Sequence, residues 1–395
     1  MKKWMILGFI LFLWVNQGYA KQVTHKKVPV AKKPSPTKGD GQKEAPYKAY
    51  MILESSTGKI LEGENIHLRW PPASITKLML SYIVMEKLQK GDLHLTDPII
   101  VSREASKMGG SQVFLKEGEV FTLEELMKAI MVASANDGAY AVAEYAAGSK
   151  DSFVDLMNER ARALNMLDTQ FHTVNGLPPS KGGQADISSC YDLGILGREL
   201  LKYPRLLDWT SIQIDSFRNG SLAMKNHNRL LWSIPTADGL KTGYYRKAGY
   251  NVVATAQKDG LRLIVVVMGS PTYKMRDRIA EEAFKKYFGK YEMANIVNKG
   301  EVIDKEIVVS NGKTRAMKGI ASESFSYPLP SNKKGAVRKE INLPDKIQAE
   351  VKAGQQLGEI VIRLGNEIIG KVGIISLEHI PKAGLFKKIS ERFTF

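Results

Sequence analysis

A single cysteine, Cys190, in 395 residues excludes an internal disulfide framework and any multi-cysteine zinc site. The six histidines are scattered, with neither His-x-x-x-His nor His-Glu-x-x-His spacing, so metal catalysis is a poor reading and no cofactor is expected. No glycine-rich loop is built to cradle a phosphate, and no repeat recurs. No basic stretch is interleaved with aromatics, so a nucleic-acid surface is not expected either. Long apolar runs are also missing. The run from Met5 to Val15 falls well short of the roughly 20 residues a membrane-spanning helix needs.

What is present is ordinary for a folded protein, with 44% hydrophobic and 25% charged residues. The length fits about two domains with appendages. The 57 basic against 41 acidic side chains give +16, an excess that favours anionic surroundings such as lipid or cell-wall polymer.

The ends carry their own signals. Lys2 and Lys3, the apolar run and Gly18-Tyr19-Ala20 read as a cleaved secretory signal over residues 1–20. The alternative is an uncleaved anchor. Residues 21–45 are rich in lysine and proline and poor in large apolar side chains, which makes a flexible basic arm. At the other end, Leu385, Phe386, Ile389 and Phe393 fall at helical spacing, opposite Lys387, Lys388, Glu391 and Arg392. Residues 381–395 therefore read as an amphipathic tail that lies on a membrane or docks on its own protein. The expected location is outside the cytoplasm, peripherally attached to the cytoplasmic membrane.

Between the ends, Tyr50 to Glu54 and Lys59 to Glu62 read as a hairpin around Ser56-Thr57-Gly58. Helices follow from about Ser74 to Lys90, from the capping box Thr122-Leu123-Glu124-Glu125, up to Ala147, and over Ser152 to Leu164 and Ser189 to Leu201. The period then turns to strands, Tyr250 to Ala256 and Leu261 to Met268, joined through Lys258-Asp259-Gly260, before a helix from Arg276 to Phe288. Strands early and late with helices between imply an α+β domain over 46–289, an antiparallel sheet packed by helices. Short strands with frequent turns imply a small all-β domain over 290–380.

Three short motifs carry the chemistry. Ser74-Ile75-Thr76-Lys77 sits at a helix start, where i, i+3 spacing brings amine and hydroxyl to one face. A serine is a weak nucleophile until a base takes its proton, and lysine serves only when burial or nearby positive charge keeps it neutral. The bland alternative is a helix cap with a solvated lysine. Ser134-Ala135-Asn136 breaks two apolar helices; it is a turn, or a second hydroxyl with an amide for a substrate carbonyl. Lys241-Thr242-Gly243 precedes a strand pair. It is a strand-edge turn, or an edge that pairs an extended peptide while lysine and threonine face a carboxylate.

The order of these motifs resembles that of penicillin-binding proteins and class A β-lactamases. With Asn226-His227-Asn228-Arg229-Leu230-Leu231-Trp232, Asp238-Gly239-Leu240 before Lys241, and Ala248-Gly249-Tyr250-Asn251, residues 46–290 resemble the D-alanyl-D-alanine carboxypeptidases, low-molecular-mass serine penicillin-binding proteins. The resemblance implies a β-lactamase/transpeptidase-like catalytic fold, peptidoglycan stem peptides ending in D-Ala-D-Ala as substrates and β-lactams as covalent inhibitors. It also implies roles. Ser74 is the nucleophile, Lys77 the base, Ser134 the proton shuttle and Asn136 a substrate holder; Lys241 supplies positive field. The backbone of Ser74 and Tyr244 forms the oxyanion hole, Gly243 lets the substrate approach, and Thr242 and Arg276 meet its carboxylate. Three positions depart from the family pattern: Ala135 for glycine, Tyr244 for histidine and His227 for arginine.

Other residues read as structural. Cys190 has no activating neighbour and reads as a small buried hydrophobe. Asp168 with His172 is not taken as part of a triad, since no nucleophile elbow is present. Trp70 and Trp232 read as packing near the site. Rival functions remain a β-lactamase, although residues 175–186 lack a glutamate to activate deacylating water, an endopeptidase or transpeptidase, and an idle wall-binding protein.

Overall fold

A computed structural model describes residues 46–384. The expected leader over 1–20, the basic arm over 21–45 and the helical face at 385–393 lie outside the described residues.

The first domain is built on a five-stranded antiparallel sheet in the order Ile60–Glu64, Ala49–Glu54, Leu261–Ser270, Gly249–Lys258, Ala237–Tyr245. The earliest strand thus pairs with a late one, as the strand–helix–strand order of the sequence implies. Leu261–Ser270 is almost unbroken in apolar residues because both of its faces are covered. Ile264, Val266 and Met268 join the core of the large helical layer, with Leu78, Met79, Leu126, Ile130 and Leu193. Leu263, Val265 and Val267 point to the other side, against Ala280, Ala283, Phe284 and Tyr287 of the helix Tyr273–Lys290. Period-two alternation over a doubly buried strand explains both sets.

Local signals in the sequence set most helix boundaries. Thr122 and Glu125 form a reciprocal capping box, Ser149, Ser189 and Thr272 cap later helices with their hydroxyls, and Gly91 ends Lys77–Lys90 in the left-handed region. One expectation needs correcting. Ser74 does not open the long helix but lies on a 3-10 turn, Ala73–Thr76, and the helix begins at Lys77. Pro71 and Pro72 precede that turn, and Ala73 is held at φ +52.

The helix Tyr273–Lys290 runs straight into the strand Tyr291–Val297, which pairs with Phe325–Pro330. A six-stranded sheet follows, in the order Val337–Asn342, Gln356–Leu364, Glu367–Ser376, Ala316–Ala321, Val302–Ser310, Lys346–Gln348. Its core comprises Ile307, Ile360, Ile362, Val372 and Ile374. Among the described residues no helix is long and apolar enough to cross a membrane.

Candidate active site

A cleft of about 950 Å³ opens beside the edge strand Ala237–Tyr245, and Ser74, Ser134, Thr242, Gly243, Tyr244 and Arg276 all line it. Its floor is the 3-10 turn. Asn251, on the neighbouring strand, donates its amide hydrogens to the carbonyls of Pro71 and Pro72, and its oxygen accepts from Gly269 N–H. That staple fixes the turn on the sheet. Two glycines allow the close fit: a Cβ at Gly243 would stand 2.4 Å from the Pro72 carbonyl and 3.0 Å from the Ser74 nitrogen. One at Gly176, which has φ +79, would stand 2.0 Å from the Ala73 carbonyl. Only glycine permits either approach.

Lys77 is fully buried one turn beyond Ser74. Its Nζ lies 3.0 Å from Ser74 Oγ, 2.7 Å from Asn136 Oδ1 and 2.7 Å from the Asn175 carbonyl. A neutral amine has two hydrogens and one lone pair. The amide oxygen and the carbonyl accept the two hydrogens, so the lone pair is left for the Ser74 hydroxyl, which donates. Burial and then the charge of Lys241 hold the Lys77 amine well below its usual range, against the opposing pull of Asp186 and Asp137. The carboxylates that raise it are occupied elsewhere. Asp186 accepts from Thr76 Oγ1, Thr173 Oγ1 and the backbone of His172 and Thr173, while Asp137 accepts from Val113, Leu115 and Gly138 N–H.

Lys241 is buried as well, and burial, then Arg276, lowers it to about 7. Its Nζ donates to the Thr242 carbonyl at 3.2 Å. Ser134 occupies the break between Leu123–Val132 and Asn136–Ala147 at φ +61, which turns it into the cleft. Arg276 is held by Asp277 Oδ1 through Nε at 2.8 Å and through a second nitrogen at 2.6 Å. Its third nitrogen lies 3.4 Å from the Asn251 carbonyl, and the guanidinium lines the cleft, where it can meet a carboxylate.

Asn136, expected as a substrate holder, is buried; its oxygen accepts from Lys77 and its nitrogen donates to the Gly109 carbonyl at 2.7 Å, so this amide orients the lysine while keeping a second N–H. The three departures from the family pattern are accommodated. Ala135 has φ −54, which needs no glycine. The ring of Tyr244, 53% exposed, stacks on Tyr250 with centroids 4.1 Å apart. His227 is pushed down to about 4 by burial and by Lys241, Lys77 and Arg276, so it is uncharged at neutral pH.

Sequence reasoning overlooked several supports: the Asn175 carbonyl, Gly176, the Asn251 staple and Asp277. The Asn175-Gly176 pair was the one local signal among them, marking a left-handed backbone position. Residues set aside fall where expected. Asp168 bonds His67 at 2.9 Å, not His172. The Cys190 thiol is buried, and burial pushes it up. Trp70 donates its indole N–H to the Ala248 carbonyl, whereas Trp232 lines the cleft.

A serine hydroxyl bonded to a desolvated lysine, beside a second hydroxyl and a peptide-pairing edge strand, can transfer an acyl group from a peptide to serine. Residues 36–272 match the family described as D-alanyl-D-alanine carboxypeptidase, and residues 291–382 match the penicillin-binding protein 5 C-terminal domain. The D-alanyl-D-alanine carboxypeptidase DacF of Bacillus subtilis is 33% identical over 387 residues, 96% of this chain and 94% of that one. The crystal structure of penicillin-binding protein 5 from Haemophilus influenzae superposes with a TM-score of 0.73 at 29% identity, over 87% of this chain and all of the other. Penicillin-binding protein D2 of Listeria monocytogenes, solved in an ampicillin-bound form, matches with a TM-score of 0.56 at 27% identity; 61% of this chain covers 96% of it. The class is that of low-molecular-mass serine penicillin-binding proteins. Within it, the chain belongs to the D-alanyl-D-alanine carboxypeptidase family.

Proposed function

We propose that this protein removes the terminal D-alanine from peptidoglycan stem pentapeptides through an acyl-enzyme on Ser74. Lys77 takes the Ser74 proton as Oγ attacks the carbonyl carbon of the penultimate D-alanine. The oxyanion that forms is met by the backbone N–H groups of Ser74 and Tyr244, a contribution typically worth 10²–10³ in rate per donor. When the intermediate collapses, the C–N bond breaks and the leaving amine receives its proton by way of Ser134. The released amino acid is D-alanine. Water then attacks the ester, with Lys77 again the base, and frees Ser74. Thr242 and Arg276 bind the terminal carboxylate, Gly243 lets the peptide lie on the edge strand, and Asn136 keeps Lys77 aimed. Lys241 contributes positive field that disfavours a proton on Lys77.

The observation that carries this reading is the buried Lys77 Nζ, which stands 3.0 Å from Ser74 Oγ while the Asn136 amide oxygen and the Asn175 carbonyl each accept from it at 2.7 Å. The reading also includes export, peripheral attachment through the C-terminal tail, and a second domain that acts as a spacer. That 61% of this chain covers 96% of the Listeria protein supports a catalytic unit shorter than the whole chain.

The test is labelling with fluorescent penicillin, together with D-alanine release from a soluble pentapeptide. The wild type is expected to label stably and to release D-alanine without consuming cross-linked dimer, and Ser74→Ala to do neither. Equal labelling of Ser74→Ala would overturn the nucleophile. Rapid loss of label would point to a β-lactamase, and loss of dimer to an endopeptidase.

A further inference from the structure

From Lys225 to Leu230 the chain alternates strictly between exposed and buried residues. The buried set is structural. Asn226 donates to the Thr210 and Ile212 carbonyls, Asn228 donates to the Gly239 carbonyl, and Leu230 enters the core beneath the sheet. The exposed set is Lys225, His227 and Arg229. All three line the cleft that holds Ser74, presented by the bend that leads from the strand Leu222–Lys225 into the short helix Leu230–Ser233 and is pinned by its buried asparagines.

Two of these are permanent cations beyond those the reaction uses. Lys225 lies over the Trp232 ring at 5.4 Å and Arg229 over the Tyr273 ring at 4.0 Å, contacts that orient both cations without neutralising either. No aspartate or glutamate lines the cleft, and Arg276 already holds Asp277, the carboxylate whose titration senses Arg229. His227 between them is kept neutral first by burial of its ring and then by Lys241, Lys77 and Arg276, so it adds no charge of its own to this face. The cleft, at about 950 Å³, lies at the upper end of the range that encloses whole drug-sized ligands, ample for more than a dipeptide terminus.

Resting on the carboxypeptidase reading, we propose that Lys225 and Arg229 form a second anion-recognising face of the cleft. This face selects stem peptides whose residue preceding D-Ala-D-Ala carries a free side-chain carboxylate. A side chain ending in an amide lacks the attraction, and one ending in an amine meets like charge. Because the face is solvent-accessible, the preference weakens as salt rises.

The experiment measures kcat/KM for D-alanine release by the full chain from three synthetic pentapeptides that differ only at that residue. The side chain ends in carboxylate, carboxamide or amine. The expected order is carboxylate, then amide, then amine, with about tenfold between the first two, carried mainly by KM and narrowed in high salt. In Lys225→Gln/Arg229→Gln the three are expected to converge to within about twofold. If the double variant does not fold by thermal melting, Lys225→Gln alone, at an exposed position, should narrow the order in the same sense. An unchanged order in the variants overturns the proposal. So does an equal loss for all three peptides, which would mean the two cations serve only the terminal carboxylate. Equal turnover of all three by the wild type overturns it too, while leaving the carboxypeptidase reading intact. Absence of D-alanine release from any peptide, with no penicillin adduct on Ser74, would overturn that parent reading.

Discussion

The two halves of the molecule bury different kinds of side chain. The catalytic half encloses Lys77, Lys241, Arg276, Asp137, Asp186, Asn136 and Asn251. In the β-domain, Ser376 is the single polar residue that is buried among the described residues, and the core is otherwise aliphatic. Its charges sit outside, as cross-strand pairs such as Lys371 with Glu359 and Arg363 with Glu340. Burying a charge is unfavourable unless it is paired and hydrogen-bonded, and no stability argument calls for two lysines in one interior. The half that retains them carries a desolvation cost in order to hold reactive groups, and the aliphatic core of the other half carries none.

The strongest way to break this contrast is at Lys77. Lys77→Met keeps the side chain's length but removes the base, and acylation by penicillin should fall by roughly 10³-fold or more. In the wild type, kcat/KM should decline on the acid side as Lys77 takes up a proton. From about pH 7 upward it should decline again as Lys241 loses its own and with it the positive charge it supplies to the site. A flat profile, or a Lys77→Met protein that still acylates at the normal rate, would dissolve the distinction between the two interiors.

Lys241 tests the stability side. Its folded-state value of about 7 lies below the ordinary 10.5, so between these limits the unfolded chain binds a proton that the folded chain does not. Stability therefore falls as pH drops from 10.5 to about 7 and loses nothing further below that. Lys241→Met should lose roughly 10²-fold in activity, by analogy with other lost electrostatic contributions. Below pH 7 it should nonetheless gain about 1–4 kcal/mol, as buried ions replaced by apolar side chains often do. Calorimetry across pH should show the gain shrinking toward alkaline conditions. A variant that is both inactive and less stable at every pH would mean that Lys241 is well solvated or paired.

This difference also governs what the sequence could disclose. Alternation in Leu261–Ser270 and the caps at Thr122, Ser189 and Thr272 are local signals, and they located the sheet and most helices. The three motifs were legible because each keeps its few residues together. What stayed hidden depended on distant chain: the Asn251 amide reaching back some 180 residues to Pro71 and Pro72, and the Asn175 carbonyl on Lys77. The same holds for the bonds from Asn136 to Gly109 and Lys77, which its local spacing does not disclose. The strands Ala316–Ala321 and Phe325–Pro330 leave only a weak sequence signal because glycine and proline interrupt them.

In the β-domain the same logic predicts a purely structural response. Ile374 is fully buried in its core, and Ile374→Ala should lower stability by about 2–5 kcal/mol, read as a shift of the denaturation midpoint. Turnover of soluble pentapeptide should stay within about twofold under native conditions. A large fall in kcat at full folding would show that the β-domain shapes the cleft, and the spacer reading would have to be abandoned.

The smallest effect is expected where the domain keeps its charges. Lys371 Nζ lies 3.0 Å from Glu359 on the neighbouring strand, with Lys371 55% and Glu359 35% exposed. Water and salt screen such a pair, and holding two long side chains in one geometry costs entropy, so Lys371→Ala should change stability by about 0.5 kcal/mol or less. Denaturation at low and high ionic strength should bring even that difference toward zero. A loss of 2 kcal/mol or more that persisted in high salt (~1 M) would mean that this surface pair is desolvated in solution, by a partner or a membrane lying against the sheet.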